Sequence, residues 1–209
     1  MKVFLREQLG EALYRVSISK KRRIVMFRNL FLVLVALCST ATVALAGNFK
    51  LTSPTIKAGA TLTEAQVFDG FGCTGKNQSP ALKWTPGPKG TKSYAITVYD
   101  PDAPTGSGWW HWVVYNIPAN VTELASGAGD ATGKLLPPGA LQGRTDYGTH
   151  AFGGACPPKG DKPHRYIFTI YALNIEKIDV PAEASAALIG FMIHANTLNQ
   201  ASFTATYGR

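Results

Sequence analysis

The stretch Tyr99-Asp100-Pro101-Asp102-Ala103-Pro104-Thr105-Gly106-Ser107-Gly108-Trp109-Trp110-His111-Trp112 concentrates two carboxylates, two prolines, three tryptophans and a histidine. Alternating residues before it, Ser93 to Tyr99, and after it, Trp112 to Ile117, follow the period-two pattern of half-buried strands. The polar insert therefore joins two strands at one edge of a sheet, where its side chains can converge. A second stretch, Gly153-Gly154-Ala155-Cys156-Pro157-Pro158-Lys159-Gly160-Asp161-Lys162-Pro163-His164-Arg165-Tyr166, delivers another histidine from a Gly/Pro loop onto a strand. The two loops are expected to meet and form one small anion-receptive pocket.

Working outward, His164 to Leu173 is the strongest strand pattern in the chain. A period of two puts His164, Tyr166, Phe168 and Ile170 on one face and Arg165 on the other. Phe49 to Ser53 alternates likewise and is ended by Pro54. From Thr55 to Gly90, Gly, Pro, Ser, Thr and Asn surround short apolar pieces such as Leu82-Lys83-Trp84, which predicts short strands and long ordered loops. Asn120 to Gly148 holds eight glycines or prolines with little periodicity, the signature of a long surface excursion. Asp179-Val180-Pro181 is expected to open a helix whose apolar face pairs Leu188 with Met192 and Ile189 with Ile193. Ser202 to Tyr207 alternates as a last strand.

The first 46 of the 209 residues have the pattern of a leader. Met26 to Asn29 is basic, Leu30 to Leu37 is an apolar run, and Ala44-Leu45-Ala46 supplies a small-x-small cleavage signature. Met26 is the expected true start, with Arg22-Arg23 as part of a twin-arginine signal and Leu30 to Ala46 as a retained anchor being the alternatives. Cleavage after Ala46 leaves residues 47–209 as a single domain in the periplasm or secreted, with no stable membrane span. The leader carries most of the excess charge: beyond it remain 13 basic and 11 acidic residues and no Lys/Arg run, so no nucleic-acid partner is expected. Two cysteines in an exported domain, Cys73 and Cys156, read as one disulfide, with two unpaired thiols as the alternative.

Asp100, Asp102, His111, His164 and Tyr166 form the candidate constellation. Imidazole N–H groups and loop amides around Gly153, Gly154 and Cys156 would donate to phosphate or carboxylate oxygens, with Asp100 orienting a histidine. Asp-Pro-Asp also suits a plain turn without any ligand. Trp109, Trp110 and Trp112 either wall a cleft or pack a core: Trp112 reads as core and Trp110 as the better wall. The same histidines and carboxylates could hold a divalent ion, but without helix-spaced ligands. A hydrolase lacks its nucleophile here: there is no G-x-S-x-G elbow, and Ser107 lies in a Gly-Ser-Gly turn. His150 and His194 read as structural or surface residues.

Together, Asp100-Pro101-Asp102-Ala103-Pro104 with Trp110-His111-Trp112, and Pro157-Pro158-Lys159-Gly160 with His164-Arg165-Tyr166, resemble the two signatures of the phosphatidylethanolamine-binding protein family, also called Raf kinase inhibitor-like. The resemblance covers Phe49 to Tyr207 and is nearest to exported bacterial members with a cysteine in each of two loops. It implies a mainly β fold: a large antiparallel sheet packed on a smaller one, with a few short helices. It also implies a shallow pocket for phosphate-like or phospholipid head-group anions, lined by Asp100, His111, His164 and Tyr166 and rimmed by Pro104 and Pro157. Members of the family are generally binding proteins or inhibitors rather than enzymes. The implied role is therefore non-catalytic and without cofactor, with an inhibitory role toward an extracytoplasmic protein partner as the alternative, and with homodimer formation as a further possible association.

Overall fold

The structure, a computed structural model, describes residues 49–209; the predicted leader, the start at Met26 and the cleavage point after Ala46 lie outside the described residues. In chain order the elements are β1 (Leu51–Thr52), β2 (Asp69–Gly70), β3 (Cys73–Thr74), β4 (Leu82–Trp84), β5 (Ser93–Asp100), β6 (Trp109–Pro118), β7 (Glu123–Leu124), β8 (Leu141–Gln142), β9 (His164–Leu173), a helix α1 (Ala186–Ala195) and β10 (Thr197–Tyr207). They form a five-stranded sheet ordered β10-β9-β5-β6-β8, a three-stranded sheet ordered β1-β4-β7, and the β2-β3 pair. All the strand pairings are antiparallel. The fold is thus mainly β, as the family resemblance implies. Among the described residues no helix is long and apolar enough to cross a membrane.

The large sheet is buried on both faces, which is why β5 and β9 carry so few polar residues. On one face Ile96, Val98, Trp112, Val114, Phe168 and Ile170 pack with Leu51, Leu82, Trp84 and Leu124 of the small sheet. On the other, Ala95, Val113, Tyr115 and Leu173 pack with Ile189 and Ile193 of α1. The hairpin that carries the Asp/Trp/His insert therefore lies in the interior of the sheet, with β9 beside β5 and β8 beside β6, and the insert sits at the strands' end. Hydrophobic alternation locates strands but not their neighbours, so the predicted edge position is corrected.

Two bulges interrupt the β5–β6 ladder. Tyr94 and Ile96 oppose Ile117 and Val114, and Val98 and Tyr99 oppose Trp112 and Trp110, so β6 carries one extra residue at each place. Asn116 provides the first: its φ is +60°, a left-handed conformation that Asn tolerates. Its buried amide donates to the Ile178 carbonyl at 3.2 Å and accepts from the Ile178 N–H at 2.7 Å. The second bulge falls at His111.

The helix begins later than expected. Asp179 to Ala184 forms a turn closed by Ala184 N–H on the Pro181 carbonyl, and Ser185 is the N-cap, its hydroxyl accepting from Leu188 N–H at 3.2 Å. Of the predicted apolar face Ile189 and Ile193 are buried, Met192 is half-buried and Leu188 is exposed.

Candidate ligand pocket

The strand ends converge where β5 stops and β6 and β9 begin. Asp100, a residue only 3% exposed, closes β5. Its Oδ2 accepts from His164 Nδ1 at 2.8 Å and its Oδ1 accepts from the Asp102 backbone N–H at 2.8 Å. One side chain thus folds the Asp-Pro-Asp turn and orients a histidine. A cavity of about 170 Å³ opens beside it, lined chiefly by Asp100, Trp109, His111, Tyr147, His164 and Tyr166. Pro104, Pro157 and Phe71 form its rim.

His111 donates from Nδ1 to the Gly153 carbonyl at 2.8 Å. A carbonyl only accepts, so the ring hydrogen of neutral His111 is on Nδ1 and Nε2 presents a lone pair. Burial lowers the pKa of this imidazole, against the opposing pull of the Gly153 carbonyl and of Asp100. His164 differs: Nδ1 faces Asp100 and Nε2 lies 3.4 Å from Asp161 Oδ2. Asp100 thus takes Nδ1 and orients the ring, while Nε2 has Asp161 at ion-pair distance and no hydrogen bond among the described residues.

Three of the loop amides are also taken. Gly153 N–H donates to the His111 carbonyl at 2.9 Å, Gly154 N–H to Asn77 Oδ1 at 2.7 Å, and Ala155 N–H to the Gln66 carbonyl at 3.0 Å. Gly154 accordingly does not line the cavity. A Cβ there would run into the Gln66 carbonyl, so its glycine serves close backbone packing.

Asp102 is corrected as well. Its carboxylate turns outward to Arg165, accepting from the backbone N–H at 2.9 Å, from Nε at 2.8 Å and from Nη2 at 2.7 Å. Those bonds hold its pKa at about 2. Arg165 points away from the cavity, as the strand period predicts. Trp110 is not a wall: its ring lies tilted against Tyr99, 4.7 Å between centroids, and faces Gly190 of α1. The wall is Trp109, because the bulge at His111 puts Trp109 opposite Asp100 and on the cavity side.

Two cavity polar groups are buried without a partner among the described residues, the Tyr166 hydroxyl and the Trp109 indole N–H. Burial and then the Asp100 charge push the Tyr166 phenol well above its ordinary pKa, so it stays a neutral donor. The same two causes raise Tyr147. The Trp109 indole pulls the other way on Tyr147, although the two groups lie outside hydrogen-bond geometry.

Sequence reasoning missed Tyr147, Phe71 and Arg209. Tyr147 comes from the 120–148 excursion, and its hydroxyl donates to the Gly154 carbonyl at 2.7 Å. Phe71 stands 69% exposed at the rim, its ring 5.8 Å from that of Tyr147. The Cys73–Cys156 disulfide ties the two rim loops together, with Cα atoms 6.1 Å apart. Arg209 fastens the same loops, donating to the carbonyls of Pro157 at 2.7 Å, Gly72 at 3.0 Å and Phe71 at 3.3 Å. Aromatics in a Gly/Pro-rich excursion were the available signal for Tyr147. His150 and His194 do have partners: His150 Nδ1 lies 3.0 Å from the Gln142 carbonyl, and His194 meets the Tyr171 ring edge-on. Among the described residues no three His, Cys, Asp or Glu side chains gather in a metal-binding geometry.

A family model described as phosphatidylethanolamine-binding protein matches residues 52–208, and the chain belongs to that family. Among its relatives is the UPF0098 protein YbcL of Escherichia coli (strain K12), 58% identical over 164 residues that cover 78% of this chain and 90% of that protein. The UPF0098 protein YbhB of the same organism is 51% identical over 76% of this chain and 99% of its own length. The crystal structure of E. coli YbcL, described as a new member of the mammalian PEBP family, superposes with a TM-score of 0.76 over 77% of this chain and 98% of that one. A Chlamydia trachomatis homologue, CT736, gives 0.64 at 28% identity, over 77% of this chain and 97% of that one.

Proposed function

We propose that the protein is an exported, non-catalytic binding protein with a regulatory role, whose pocket takes a small phosphate-bearing anion such as a phospholipid head group. The Tyr166 hydroxyl carries this reading: a buried donor left without a partner at a cavity is stabilised by an acceptor oxygen arriving from outside. A volume of about 170 Å³ suits a head group and not an acyl chain. The family description points to the same ligand class. Export is supported by the leader pattern and by the disulfide, a bond that persists in oxidising compartments. A binding role is supported by the side chains that would otherwise serve as nucleophiles: Cys156 is in the disulfide, and the Thr105 hydroxyl donates to the Gly108 carbonyl.

The test is a titration of oxidised protein with O-phosphoethanolamine, followed by the indole N–H resonances of its four tryptophans. The Trp109 signal, assigned with Trp109→Phe, is expected to move downfield and to saturate. A spectrum unchanged at millimolar ligand would remove the head-group reading. Exposed Phe71 beside Pro104 and Pro157 favours a second reading, in which an extracytoplasmic protein docks on the pocket face. Cross-linking from position 71 that captures no protein would count against it.

A further inference from the structure

We infer that an anion enters this pocket together with one proton, held between the ligand and Nε2 of His111, so that the site takes an anion–proton pair. The inference rests on the anion reading above and adds the chemical form in which the ligand is bound.

The lone pair that His111 presents to the cavity points to it. No Lys or Arg lines the cavity, and its one carboxylate, Asp100, faces inward. The amides of Gly153, Gly154 and Ala155 and Nδ1 of His164 are engaged by protein acceptors. The Tyr147 hydroxyl is spent on the Gly154 carbonyl. Among the described residues the buried side-chain donors of the cavity without a partner are Tyr166 and Trp109, and beside them stands an acceptor, the Nε2 lone pair of His111. An anionic oxygen set against that lone pair brings acceptor to acceptor. A hydrogen at Nε2 turns the repulsion into a charge-assisted bond while Nδ1 keeps its bond to Gly153.

The groups facing His111 accommodate the added charge. Asp100 comes from β5, Asp146 and Tyr147 from the loop before the rim, and Tyr166 and His164 from β9. Asp100 and Asp146 both favour the protonated imidazole, and the two phenols stay neutral because burial raises both. In the free protein, burial holds His111 toward its neutral form. The proton therefore arrives with the ligand, from solvent or from a P–OH of the ligand itself. No bond other than one N–H or O–H is made or broken.

Calorimetric titrations of the whole oxidised protein in two buffers of different ionisation enthalpy measure the proton count directly. Two probes separate the proton's sources. O-phosphoethanolamine is a monoester, and such phosphates lose their last proton near a pKa of about 6. Glycerophosphocholine is a diester with neither P–OH nor N–H. Between about pH 7 and 8.5 both are expected to take up close to one proton, and affinity to fall about tenfold per pH unit. For O-phosphoethanolamine the slope should flatten below about pH 6, where the free ligand brings its own proton.

His111→Gln supplies a neutral N–H donor at this place, so it is expected to bind with no proton uptake and a flat profile over the same range. Wild-type binding without proton uptake would overturn the inference alone, as would a pH slope retained in His111→Gln. No heat with either probe in folded protein would overturn the anion reading, and this inference with it.

Discussion

Tyr166→Phe removes one oxygen and leaves the ring, and stability and binding should then move in opposite directions. In the wild type this hydroxyl is buried without a partner, and such a group costs about 1–3 kcal/mol. Water entering an open cavity recovers part of that, so the variant is expected to be about 1 kcal/mol more stable without ligand. For a domain of this size that is a rise in Tm of roughly 2–4 °C. With ligand the sign reverses. A neutral donor to a charged oxygen contributes about 1.5–3 kcal/mol, so O-phosphoethanolamine should bind roughly 10- to 150-fold more weakly. The phenol titrates well above neutrality because burial and Asp100 raise its pKa, so the affinity loss should not vary between about pH 6 and 8 through this group. Thermal denaturation and calorimetric titration on one preparation settle both signs. A variant that binds as the wild type does would refute the argument, as would one that is less stable without ligand.

Three further outcomes follow from other parts of the structure. The disulfide closes a separation of 83 residues, for which chain entropy gives about 4.5 kcal/mol; Cys73→Ser with Cys156→Ser should lose about 2–4 kcal/mol in urea unfolding, and a loss under about 1 would contradict this. Arg165 holds the Asp102 carboxyl at about 2, below its ordinary 3.8. The stabilisation is therefore complete above about 3.8 and lost as pH falls through about 2, and because Arg165 is exposed, Asp102→Asn should cost no more than about 1 kcal/mol at neutral pH, a difference that disappears in acid. Asn116→Ala loses both bonds to Ile178 and leaves a non-glycine residue at φ +60°, so about 2–4 kcal/mol should go; an unchanged urea midpoint would show that the bulge does not depend on that amide.

Strand positions were legible because apolar alternation is a local property of the chain. So was the His164 to Ile170 face, since β9 runs without a bulge from His164 to Tyr171 against β10 and from Ile167 to Leu173 against β5. The choice between Trp109 and Trp110 was not legible: it turns on the extra residue at His111, which no alternation pattern announces. Residue type suggested that Asp100, Asp102 and the Gly153 to Cys156 amides would serve a ligand. Which acceptor or donor each one meets depends on contacts such as Asn77 to Gly154 and Arg165 to Asp102, separated by 77 and 63 residues. Arg209 belongs to the same class, its partners Pro157 and Phe71 lying far back in the chain. Helix α1 was placed too early because its cap was sought beside a proline, whereas the hydroxyl that reaches an open N–H is that of Ser185.

The two bulges of β6 have a consequence for how this sequence tolerates change in length. Residues on the cavity and small-sheet side follow at Trp109, His111, Trp112, Val114 and Ile117, in steps of two, one, two and three, while Trp110, Val113 and Tyr115 face α1. The strand behaves as three short rulers joined out of phase. An insertion within Ala103 to Gly108 lengthens a loop and leaves the phase intact. Losing His111 or Asn116, the extra residue of each bulge, would restore plain alternation and keep the faces, at the loss of the cavity imidazole or of the bonds to Ile178, whereas losing a residue between the bulges, such as Val113, would exchange them. Length variation should therefore be confined to the turn and the two bulges, and a homologue lacking one residue elsewhere in β6 should have abandoned either the pocket or the packing beneath the helix.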